Sequence, residues 1–301
     1  LGLLPVGVVG SALLLPVVFS THSADRPPMT VGRGAWFARR VPRAVGVAVG
    51  IAALEGAGQH PSQATIAVAA AGLAILVWGL RGVLPRGTIR ARPGVPATVA
   101  LRGLLAGSFF GVESVVPLSL SVQHSFTATE AGLPLACAGV AWAFGAWLQG
   151  RDSTREDEAR RVLLARSGFA LIALGTAGVA ISAVTPAAWT IYPAWALAGA
   201  GAGLTMSTLS VLLLKFTNDR DRGSDSAALQ LADVTSGAVT TGLAGVLVAA
   251  ASRGDMGYGA AFLTLDLAMA CVALVGAVAA GRLRRQGISG ESATILGYSG
   301  G

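Results

Sequence analysis

The sequence predicts an all-α membrane protein, a bundle of about nine transmembrane helices. Three observations predict it. First, 53% of the residues are hydrophobic and only 12% are charged, about half the charged share of a soluble domain. Second, the apolar residues gather in runs of the length needed to cross ~30 Å of hydrocarbon. Third, arginine-bearing connections alternate with connections nearly free of basic charge. The 41 glycines fit the same class, because helices in lipid associate by close packing of small residues.

Nine apolar spans follow in order: 1–19, 44–58, 63–80, 97–122, 130–149, 162–184, 188–214, 225–252 and 258–280. The first has no positive leader, so it reads as a span of a truncated or processed polypeptide rather than a signal peptide. The second is short and holds Glu55. The connection 20–43 carries Arg26, Arg33, Arg39, Arg40 and Arg43, and the next carries only His60. Connection 81–96 carries Arg81, Arg86, Arg90 and Arg92, and the next only His124. Connection 150–161 (GRDSTREDEARR) has Arg151, Arg155, Arg160 and Arg161 among acidic residues, and 185–187 is uncharged. Connection 215–224 has Lys215, Arg220 and Arg222, 253–257 sets Arg253 against Asp255, and the tail holds Arg282, Arg284 and Arg285. Basic connections face the cytoplasm, so residue 1 starts outside and the C-terminus lies inside. Trp36, Trp78 and Trp147 then fall at inner ends, and Trp189, Tyr192, Trp195 and Tyr258 at outer ends, as interfacial belts require. The polar, Gly/Ser-rich stretch 286–301 reads as a disordered cytoplasmic tail.

The net charge of +7 therefore reads as a topology signal. No aromatic residues interleave with a basic patch, which excludes nucleic acid as the natural partner. Cys137 and Cys271 lie inside apolar runs and read as free buried thiols. No HExxH, GxSxG or EF-hand pattern occurs, so neither an enzyme nor a cofactor is expected. The histidines His22, His60 and His124 lie in connections, and His124 reads as a surface residue.

Ionisable groups inside spans are expensive, and each is a candidate for function. Arg102 and Glu113 share a helix face, since eleven residues make ~1100°, and they stand ~16 Å apart. Phe109 falls between them on that face, which can look into a polar cavity. Gly103, Gly107 and Gly111 form a second face suited to close contact with a neighbouring helix. Glu113, near mid-membrane, can exchange protons, pair with a cationic substrate, or serve as a structural carboxyl. Arg102 can either snorkel to the inner interface or act with the acids. Ser226, Gln230, Asp233, Gly237 and Thr241 recur at helical spacing and give one small, polar face. Asp233 can line the same cavity or form a gating ion pair with a cytoplasmic-side arginine. Asp266 has no same-face polar partner and is a weaker gating or ion-pair candidate. GAGAG at 199–203 lacks the strand and lysine of a nucleotide loop and reads as a packing or bending element.

The stretch 89–151, with FTATEAGLPL opening one span (Phe126 to Leu135) and GAWLQGR closing it, resembles the seventh and eighth spans of major facilitator superfamily transporters. The likeness is to the fourteen-span drug:proton antiporter (EmrB/QacA type) family. LGLLPVGVVGSALLLP resembles that family's sixth span. The resemblance implies the last span of an N-terminal half (1–19), a basic loop (20–43) and two central linker helices with a basic loop (44–96). It also implies a complete C-terminal six-helix half (97–285). The family's N-terminal signatures would precede Leu1. By this resemblance the chain is part of a plasma-membrane, proton-coupled exporter of small hydrophobic or cationic compounds. Its partners would be substrate, protons, membrane lipids and the remaining N-terminal half. A non-transporting membrane scaffold or lipid-handling partner is the other reading.

Overall fold

A computed structural model describes residues 33–59, 63–152 and 158–283. The expected first span and the C-terminal tail lie outside the described residues. Among these, every regular element is helical. Leu1–Pro42 separates from Arg43–Gly301, and of the first unit only the opening turns of one helix are described.

That helix, α1 (Arg33–Gln59), is followed by α2 (Gln63–Val83). The two pack through small residues. A Cβ placed on Gly50 would come within 2.7 Å of the Gly72 carbonyl oxygen, and one on Gly79 within 2.7 Å of that of Arg43. Val47 and Leu76 fill the seam. The apolar stretches of this pair, Val41–Leu54 and Ala67–Val83, are shorter than the helices that follow.

The remaining helices are α3 (Val95–Glu113), α4 (Val116–His124), α5 (Ala128–Asp152), α6 (Glu158–Ser182), α7 (Ile191–Phe216), α8 (Arg222–Ser252) and α9 (Tyr258–Ala279). With α3 and α4 taken as one interrupted span, six helices among the described residues are long and apolar enough to cross a membrane. These six coincide with the expected spans from 97 to 280, and the chain is a multi-pass membrane protein.

α7 packs against both α5 and α6, while α3 packs on α8 and α9 packs on α6 and α3. The GAGAG string explains the first arrangement. Gly199 and Gly203 lie against the Ala138 and Trp142 carbonyls of α5, while Gly201 lies against the Gly168 carbonyl of α6. Such approaches exclude any Cβ, and close van der Waals contact is what joins helices in lipid. Buried hydroxyls on α7 are satisfied within the helix: Thr205 donates to the Gly201 carbonyl at 2.9 Å and Thr208 to that of Leu204 at 2.7 Å. Helix interiors so satisfied leave no polar group to the lipid. At the start of α5, the Thr127 N–H donates to Glu130 Oε2 at 2.9 Å, half of a capping box.

Large apolar side chains stand exposed on the outward faces, among them Val140, Phe144, Val234 and Leu274. Cys137 and Cys271 are free, but they sit on these exposed faces rather than in the interior. The helix periodicity, not the apolar run alone, decides which side of a span a thiol occupies. His124 also departs from the surface reading: its Nε2 lies 3.1 Å from the Ser182 carbonyl, and Gln123 Nε2 donates to the Ala183 carbonyl at 2.8 Å. These bonds join the end of α4 to the end of α6.

Candidate functional site

The span that carries Arg102, Phe109 and Glu113 is broken at Glu113. α3 ends there, Ser114 and Val115 form a turn, and α4 begins at Val116. Pro117 occupies the first turn of α4 and has no N–H to offer the Glu113 carbonyl. Bonding is rearranged across the break. The Val115 N–H turns to the Val112 carbonyl at 3.0 Å, and the Gly111 carbonyl accepts the Ser114 hydroxyl at 2.8 Å instead. Interrupted helices at membrane depth are tolerated where they are buried in protein or line a polar space. Glu113 is half-buried.

One turn below Glu113 lies a cluster of aromatic rings. Phe109 stacks on Trp195 of α7 with centroids 4.7 Å apart and meets Trp142 of α5 edge-on at 5.3 Å. Phe110 completes the cluster, 5.5 Å from Phe109 and 6.3 Å from Trp142. Trp195 is 0% exposed, so it is a core residue rather than part of an interfacial belt. Its indole Nε1 has no hydrogen-bond partner among the described residues. The expectation that Phe109 looks into a polar cavity is corrected here: the ring is 2% exposed and enclosed by other rings.

Arg102 closes the other end of the same helix face. Its Nε donates to Asp233 Oδ1 on α8 at 2.7 Å. Its other donors reach the Met206 carbonyl and the Ser210 hydroxyl of α7, each at 3.3 Å. Arg102 is therefore buried between three helices and does not snorkel. The ion pair sits ~16 Å along the axis from Glu113, a full eleven residues.

The remaining candidates divide. Gly103, Gly107 and Gly111 lie along α8: a Cβ on Gly103 would meet Ser236 Oγ at 2.8 Å, one on Gly107 would meet Thr240 Cγ2 at 3.3 Å, and one on Gly111 would meet Thr240 Cβ at 2.9 Å. Gln230 is exposed. Asp266 is 2% exposed, and its Oδ1 has no hydrogen-bond partner among the described residues. Its depth follows from its neighbours. Met269 of α9 touches the Gly111 position and Gly259 the side chain of Gln123, so Asp266 lies level with the helix break. On α3, Glu113 is ~200° around the helix from Gly111, on the side away from α9. The two carboxyls thus flank α3 from different sides.

The structure gathers Phe109 and Glu113 at one place and Arg102 and Asp233 at another. It adds Phe110, Trp142 and Trp195, which the sequence reading left out as site residues. Their presence on apolar helices was legible, but their convergence from separate spans was not. No protein-family model matches the chain, and no curated protein matches it at a significant level.

Proposed function

We propose that the chain is the C-terminal part of a secondary transporter of the major facilitator type. In this reading it works in the plasma membrane with its C-terminus in the cytoplasm, exporting small hydrophobic or cationic compounds in exchange for protons. The observation that carries the proposal is the interrupted span Val95–His124, with an acid at the break and an aromatic cluster one turn away. Transporter sites are typically built near the midplane from such discontinuous helices. The partly exposed Phe110 and Trp142 offer aromatic surface to lipophilic or cationic ligands, and a carboxyl beside them can bind either the cation or a proton. The Arg102–Asp233 pair would hold the arginine-rich end shut in one state and part in another. The six-helix body would rock against the N-terminal half that the resemblance implies.

Proteoliposomes holding the protein, with an imposed pH gradient and a fluorescent lipophilic cation, test this. Glu113→Gln is expected to reduce gradient-driven cation movement at least tenfold while binding of an uncharged lipophile persists. Unchanged coupled movement in the variant would remove Glu113 from the mechanism.

A second reading, a non-transporting membrane scaffold, draws on the enclosure of Phe109 and Arg102 in packed protein. Glu113→Cys separates the two. Modification by a water-soluble thiol reagent from one membrane side favours the transporter, and complete protection favours the scaffold.

A further inference from the structure

At the arginine-rich end, parts of the chain far apart in sequence bring arginines together. Arg282, just after α9, donates from a guanidinium nitrogen to the Arg90 carbonyl at 2.8 Å. Arg166, eight residues into α6, reaches back so far that a Cβ on Gly281 would lie 2.7 Å from its guanidinium. Arg90, Arg166 and Arg282 are exposed. Among the described residues none of the three pairs with a carboxylate. Arg166 and Arg282 thus meet at Gly281 with no carboxylate between them, and an anion there would find two positive charges.

The surroundings indicate which anion. Arg166 lies inside a stretch long and apolar enough to span the membrane, so its stem runs along lipid and its charge reaches toward the interface. Val278, one turn before Arg282, is 76% exposed, and Val275 before it is 57% exposed. Exposed positive charges thus adjoin an exposed apolar strip, the profile of a molecule with an anionic head and an acyl tail. Free phosphate would use only the charges.

We propose that Arg166 and Arg282, which meet at Gly281, bind the phosphate headgroup of an acidic phospholipid, whose acyl chain lies along Val275 and Val278. The site is separate from Glu113 and does not depend on transport.

Native mass spectrometry of the full chain in an uncharged detergent, titrated with phosphatidylglycerol and with phosphatidylcholine, tests it. The wild type is expected to retain phosphatidylglycerol preferentially. Arg166→Gln, which keeps the Arg282–Arg90 bond, should weaken retention about five-fold, and Arg166→Gln with Arg282→Gln by about five-fold again, from the usual worth of one basic residue at an anionic surface. The pair Arg151→Gln with Arg222→Gln removes the same charge from other loops and should leave retention unchanged. Equal loss in that control would reduce the effect to general charge and overturn the site. Full competition by inorganic phosphate at low millimolar concentration would overturn the lipid assignment, as would equal retention of both lipids by the wild type. Melting temperatures without lipid report whether the variants still fold.

Discussion

The two ends of α3 solve the same problem in opposite ways. At Arg102, two guanidinium nitrogens find three partners: a carboxylate at 2.7 Å, a carbonyl and a hydroxyl at 3.3 Å. Around Glu113 the answers run out. The helix breaks, Pro117 withholds an N–H, and among the described residues neither Trp195 Nε1 nor, level with the break, Asp266 Oδ1 has a partner. A satisfied buried network fixes one arrangement of helices, whereas unsatisfied groups leave interaction energy available for a ligand or a second conformation. The first end therefore carries stability, and in the proposed function the second carries the chemistry.

Mutations can break this division, beginning with the largest effect. Arg102→Met leaves Asp233 buried without its partner and should cost about 3–5 kcal/mol, read by denaturant unfolding in micelles. Replacing both residues with apolar side chains should recover much of that loss, and failure to recover would mean that Arg102 works mainly through α7. Gly203→Val drives a side chain into the Trp142 backbone and should cost about 2–3 kcal/mol by overpacking, with α5 and α7 separating first in hydrogen exchange. Pro117→Ala restores the missing donor to the Glu113 carbonyl. It should change stability by less than ~1 kcal/mol yet lower cation movement several-fold, and a variant that transports normally would show the break to be structural. Smallest is Trp195→Phe, which removes the unpaired N–H but keeps most of the stacking. Its stability should stay within ~1 kcal/mol of the parent, against ~3–5 for Trp195→Ala.

Much of this architecture could be read before any coordinates. Apolar length and the period of arginine in the connections located the six long spans, because both reflect the bilayer rather than the fold. The pairing partner of Glu113's face could not be read in the same way. Helical wheels place Phe109 beside Glu113 on one helix, but only the folded bundle brings Trp142 and Trp195 against it. The same limit made Trp195 look like a belt residue and left Arg102 open between snorkelling and acting with the acids. The break itself was masked by Pro117 sitting within an unbroken apolar run, where proline is common enough in membrane helices to pass unnoticed.

The glycine string of α7 has a mechanical consequence. Where backbone rests on backbone, as at Gly199, Gly201 and Gly203, no rotamer can turn to absorb a shift. The three helices α5, α6 and α7 must then travel as one rigid plate. α3 meets α8 through the hydroxyl and methyl groups of Ser236 and Thr240, which can slide. Any large displacement within this bundle has its shear plane there, beside the Arg102–Asp233 latch.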